Sequence, residues 1–201
     1  MATEANVTKH DADLSQDVSR RLEDLGPDLA GHQVLLLPTE MREGVTYYKP
    51  EEVNSGRMAR QVFLDAAYLD AGQDRRFLHE YSAGWVLDFA LAVGQNLSAD
   101  GLIAIGRYIL ARAGYAISNK RHDGPLEAVP TRVTIGRVDR KSDGTVVVRN
   151  VCFEGHSEGV SMAVKEFLQP LLGSSLPRSL AIEGDIDGGG QEKDRSDGVS
   201  P

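Results

Sequence analysis

The chain is 201 residues long, 41% hydrophobic and 26% charged, which suits one globular domain with appendages and allows a sizeable core to be buried. The formal charge of -8 is carried by the ends: residues 1–30 hold three basic and seven acidic groups and residues 173–201 hold three and six, so the middle is close to neutral. A single cysteine, Cys152, excludes an internal disulfide, and the lack of any fixed-period repeat excludes solenoids and propellers.

Met1 is not followed by a charged and then apolar leader, so the expected compartment is the cytoplasm. Residues 1–13 lack hydrophobic periodicity and read as a disordered lead-in. Leu14, Val18, Leu22 and Leu25 then recur at helical spacing, and Gly26-Pro27 ends that amphipathic helix. The runs QVLLL (33–37) and VTYY (45–48) read as short strands that can pair as a hairpin. A helix is expected over residues 57–71, with Met58, Val62, Ala66 and Leu69 as its stripe, and residues 75–81 read as a further short helix or an extension of the first helix of the central pair.

Residues 84–117 form the longest apolar stretch. Asn96 and Ser98 interrupt it with an N-cap signal, so it reads as two packed helices. Asp88, Asp100 and Arg107 within it argue against a membrane span, since a central carboxylate costs at least ~2.5 kcal/mol on insertion. Leu102, Ile105, Ile109 and Ala113 make one apolar face of the second helix, and Gly106 beside them permits close approach by another helix, from this chain or a second one. These five residues are the candidate interaction surface.

Residues 121–130, with Gly124, Pro125 and Pro130, are the clearest interior break and a possible sub-boundary. Beyond it TRVTIGRV (131–138) and TVVVRNVCF (145–153) read as strands joined through Asp143-Gly144, followed by a helix from Ser157 to about residue 172. From residue 173 onward Gly, Ser, Asp and Pro dominate, and a flexible acidic tail is expected.

The chemistry visible in the sequence is sparse. His10, His32, His79, His122 and His156 show no metal-ligand spacing with one another or with Cys152, and no metal or cofactor is expected. Cys152 with His156 lacks the third group that a nucleophile and base need, so a buried thiol is the plainer reading. Asp139-Arg140-Lys141 has the acid-x-lysine pattern of some metal-dependent nucleases, yet it abuts a turn and fits the rim of a hairpin. The glycine-rich run 184–190 has no lysine after it and is not a phosphate loop.

Between residues 107 and 149 nine Lys or Arg face four acids. Arg132, Arg137, Arg140, Lys141 and Arg149 therefore form a candidate nucleic-acid surface on a β-ribbon, although charged ribbon edges also serve solubility. The fold class expected is α+β: short N-terminal strands, a central helical layer and a C-terminal β-β-α unit in an antiparallel sheet, all in one domain over residues 14–172. The leading functional reading is a non-enzymatic interaction protein, an adaptor or accessory subunit that binds a protein partner or a second copy of itself. The alternatives are a nucleic-acid-binding regulator using the basic hairpin and a metal-dependent nuclease or hydrolase using Asp139 and Lys141.

Overall fold

The computed structural model describes residues 7–43, 45–70, 75–77, 85–119 and 121–172. Its centre is a strand, β7 (Leu87–Val93), where the sequence predicts the first helix of a pair. Leu87, Phe89, Leu91 and Val93 enter one core, while Ala92 enters a second core on the opposite face of the sheet. A strand covered on both faces reads as a continuous apolar run, which periodicity alone cannot tell from a buried helix. The second half of the stretch is helical as expected: α3 (Ala99–Ser118) starts at Ser98, whose Oγ accepts from the Gly101 N–H at 3.0 Å.

Helix α3 carries the chain across to β8 (Pro130–Arg140), which pairs in parallel with β7. The stretch 121–129 is thus the connection between α3 and a neighbouring strand of the same sheet. β8 runs into β9 (Val146–His156), antiparallel over its whole length. The connection is closed by the Lys141 N–H to the Thr145 carbonyl at 2.8 Å and the Gly144 N–H to the Lys141 carbonyl at 3.0 Å. Gly144 has φ +86° there, a conformation in which a Cβ is disfavoured.

On the other side of β7 lies β2 (Val34–Leu37), antiparallel to it and parallel to β5 (Ala66–Tyr68). The far edge of the sheet is β1 (Thr8–Asp11), antiparallel to β9. The order is β1-β9-β8-β7-β2-β5, and the sheet is mixed where an antiparallel one is expected from sequence. Part of the expected disordered lead-in is therefore a strand. All four of its side chains are exposed, so it has no hydrophobic pattern to betray it and is held through backbone pairing.

The two N-terminal runs are both strands, but they do not pair with each other. β4 (Val45–Tyr48) joins β3 (Glu40–Arg42) and β6 (Arg75–Phe77) in a separate three-stranded sheet. The long helix expected over 57–71 is instead the short α2 (Ser55–Gln61), a turn, and then β5. In the predicted 75–81 helix, residues 75–77 are β6, and 78–81 lie outside the described residues, as do 1–6 and the expected tail at 173–201.

Helix α1 (Gln16–Leu25) lies on one face of the large sheet, where Val18 and Leu22 pack with Leu35, Leu37, Ala92 and Val138. Helices α2, α3 and α4 (Ser157–Leu172) cover the other face with the larger core, around Ile105, Ile109, Val160, Val164 and Phe153. The fold is α+β. None of the described helices is long and apolar enough to cross a membrane.

Candidate functional site

Helix α2 is only seven residues long and too short to be stable alone. Its inner side is sealed by Met58 and Ala59 in the core. Its start is pinned by a buried network in which Arg112 from α3 meets Glu52 at 2.7 Å and donates to Ser55 Oγ at 2.9 Å and Tyr108 Oη at 3.2 Å. The guanidinium also lies 4.2 Å from the centre of the Phe89 ring. Arg112 is 1% exposed and Glu52 4%. Burial, the largest single influence, favours the neutral form of Arg112, but Glu52 and Tyr108 together, through charge and hydrogen bonds, outweigh it and hold its pKa above the ordinary arginine range. Burial pushes the Tyr108 hydroxyl up to about 12, despite the adjacent cation. Tyr68 from β5 adds a further hold, its hydroxyl donating to the Glu52 carbonyl.

What this rigid mount presents is Phe63. The Phe63 N–H bonds the Arg60 carbonyl at 3.1 Å and the Leu64 N–H bonds the Ala59 carbonyl at 2.9 Å, the paired bonds of a Schellman ending. Leu64 and Ala59 are both buried in the core, which completes that motif. The left-handed position in it is normally glycine, yet here Phe63 sits at φ +60°. Its ring is 89% exposed, more than any other large apolar residue among those described. Among the described residues three other non-glycine residues have positive φ: Leu29, whose side chain is fully buried, the small Ala30, and the polar Glu43. Phe63 alone among them combines strain, bulk, an apolar side chain and exposure. Val53, at 55% exposure, precedes the helix, and the exposed cations Arg57 and Arg60 lie between it and Phe63.

A second polar cluster lies on the α1 face of the sheet, where the strand register lines up Asp88, Arg132 and Glu154 across β7, β8 and β9. Arg132 grips Asp88 through two donors, at 3.1 and 2.6 Å, and the ammonium of Lys49 binds the same carboxylate. Burial works against ionisation of Asp88, but the two cations together hold its carboxyl below the usual aspartate range. Asp88 and Lys49 also line a cleft of about 160 Å³ whose wall is the segment leading into α1, at Asp13 and Ser15, and which Ala90 and Thr134 of the sheet also line. In the next row His10, Cys152 and Thr134 are neighbours across β1, β9 and β8.

The five cations of the candidate nucleic-acid surface do not form one stripe. Arg132 is bound to Asp88, and Arg137 is bound to Asp139 at 2.9 Å. Alternation along β8 puts Arg132 and Arg140 on one face and Arg137 on the other, where it pairs in register with Arg149. Lys141 sits at the turn. The ion pair with Arg137 also occupies the Asp139 carboxylate that the nuclease alternative would use.

Leu102, Ile105, Gly106, Ile109 and Ala113 are brought together, but inside the molecule. The close approach at Gly106 is by α4, with the Ser161 hydroxyl bonding the Gly106 carbonyl at 3.2 Å. Phe63 is absent from both sequence-derived sets. A phenylalanine in an expected helix carries no mark of a left-handed C-terminus, so periodicity could not have found it. Asp88 was visible as a charge interrupting an apolar run, but its partners come from strands far away in sequence. Comparison of the chain with protein-family models, with curated proteins and with solved structures gives no match.

Proposed function

We propose that this protein is a protein-interaction module and that Phe63 is the anchor it inserts into a partner. One observation carries the reading: the fold spends conformational energy to hold a bulky aromatic residue in the left-handed region and gains almost no burial from it. A left-handed L-residue costs roughly 1–2 kcal/mol, and a ring that is 89% exposed recovers little of that. Strain of this kind is retained where something outside the fold uses it. Exposed aromatic anchors seated in a partner's pocket dominate binding energies. A mount held in place also lowers the backbone part of the ordering cost of presenting the ring, and the Arg112–Glu52 network behind α2 provides one. The flanking Arg57 and Arg60 fit a partner whose apolar pocket has an acidic rim.

The test is photo-crosslinking from a benzophenone side chain placed at position 63, compared with one placed at exposed Arg149. The expected result is a discrete adduct from position 63 that is absent from position 149 and is suppressed by excess wild-type protein but not by the Phe63→Gly variant. Equal adducts from both positions, or suppression by Phe63→Gly as effective as by wild type, would overturn the reading.

A further inference from the structure

We propose that His10, Cys152 and Glu154 form a site for one divalent ion of the zinc type, and that the ion clips the edge strand β1 onto the sheet. The imidazole nitrogen, thiol sulfur and carboxylate oxygen of the three residues all lie within 4.8 Å of one another. The backbone explains why. His10 is directly opposite Cys152 in the antiparallel β1–β9 pair, and Glu154 is two residues further along β9, so all three side chains leave the same face. With metal–ligand bonds of about 2.0–2.3 Å in a tetrahedral site, ligand atoms stand roughly 3.3–3.7 Å apart. Closing the gap requires small rotations of two side chains, the exposed His10 and the half-buried Glu154, whose oxygen stands 4.0 Å from the Cys152 sulfur.

The donor set fits the ion. Thiolate, imidazole and carboxylate are the three protein ligand types that zinc takes, and a thiolate disfavours magnesium and calcium. On binding, the Cys152 S–H bond breaks, the sulfur–metal bond forms and the proton leaves to solvent. The thiolate and the Glu154 carboxylate then balance the two positive charges. The competing contacts are weak ones: the Cys152 thiol meets the Thr134 hydroxyl across the β8–β9 pair, and Arg132, which is bound tightly to Asp88, is 3.9 Å from Glu154. Three protein donors leave one position of a tetrahedral ion for water or a ligand. The ion would bridge residue 10 to residue 152, across a strand whose four side chains are all exposed.

The experiment is titration of the metal-free full chain with Co²⁺ and then with Zn²⁺. Because the chain has one cysteine, a thiolate-to-cobalt charge-transfer band reports Cys152 alone. The expected result is one equivalent of cobalt giving that band, its displacement by zinc, and slower amide exchange at residues 8–11 in the zinc form. His10→Ala, at an exposed edge-strand position that the core does not need, should weaken zinc binding at least tenfold, and Glu154→Gln should weaken it likewise. His156→Ala, whose ring contacts only the Ala128 carbonyl among the hydrogen bonds of that region, should leave it unchanged. Absence of the cobalt–thiolate band, or a zinc affinity that His10→Ala does not alter, would overturn the proposal.

Discussion

Phe63→Gly is expected to make the protein more stable and less able to bind. In the left-handed position an L-residue bears roughly 1–2 kcal/mol that glycine does not, while glycine loses about 0.5–1 kcal/mol more backbone entropy on folding. Full burial of a phenylalanine side chain is worth about 1.5–3 kcal/mol; at 89% exposure only about a tenth of that is lost with the ring. The balance is a gain of about 0.5 kcal/mol, which for a chain of this size raises Tm by roughly 1–2 °C. Phe63→Ala keeps the strain and should be neutral within about 0.5 kcal/mol. Both variants should lose at least ~2 kcal/mol of partner binding, about thirtyfold in Kd, as removal of an aromatic anchor does. Calorimetric unfolding and binding to the crosslinked partner, measured on the same preparations, test both halves. A Phe63→Gly variant destabilised by more than ~1 kcal/mol would show that the ring packs within the fold, and unchanged binding would remove its assigned role.

Four further outcomes follow from the packing, the charges and the turn geometry. Gly94→Ala should cost about 1–3 kcal/mol in urea unfolding, because a methyl there overlaps the Pro27 carbonyl oxygen, a backbone atom held by the Gln95 N–H at 2.9 Å. Gly106→Ala should cost much less, since the nearest obstacle is the end of the Lys165 side chain, and light scattering should show an unchanged mass. Asp88→Asn should destabilise by about 1.5–3 kcal/mol at neutral pH, the usual worth of hydrogen bonds to a charged group. The Asp88 carboxyl titrates below its unfolded value, so its stabilisation is full above about pH 4 and is lost as pH falls through the folded pKa. The variant should accordingly show a shallower loss of stability below pH 4, and an acid limb parallel to wild type would contradict the assignment. Gly144→Val should cost about 1–2 kcal/mol at φ +86°, with Gly144→Asn costing less because asparagine tolerates that region, and equal midpoints for the two would contradict the turn geometry.

The parts of the fold legible in the sequence are those with one buried face. Val18 and Leu22 of α1, the Leu102-Ile105-Ile109-Ala113 face of α3 and the Val160-Val164-Leu168 face of α4 all repeat at helical spacing because one side meets a sheet and the other meets water. The β8–β9 hairpin was legible through β-branched runs around Asp143-Gly144. Elements that break this rule were misread. β7 is buried on both faces, so its alternation is hidden. β1 is exposed on every side chain, so it has none to show. At 66–69 the residues that continue a helical stripe on paper enter different cores in space: Ala66 packs against the larger one, and Leu69 belongs to the one under α1.

The candidate sites were hidden for a different reason. The polar clusters are made by contacts between segments distant in the chain, such as His10 with Cys152 or Glu52 with Arg112, which no local spacing encodes, while the left-handed ending at Phe63 is local but lacks the glycine that would mark it. Around α2 the same pattern has an energetic side. A buried ion pair gives a fold little that well-packed apolar residues of similar volume would not give, and a phenylalanine in place of glycine at the helix end gives it less than nothing. Both concessions meet in one short segment, residues 52–63, and both act in one direction: the network fixes where α2 sits, and the Schellman bonds fix the direction in which the Phe63 Cα–Cβ bond leaves α2. Stability alone would be served better by apolar residues at 52 and 112 and glycine at 63. Their joint presence suits the interaction surface proposed above, because an anchor whose backbone is set before a partner arrives has less ordering left to do on binding.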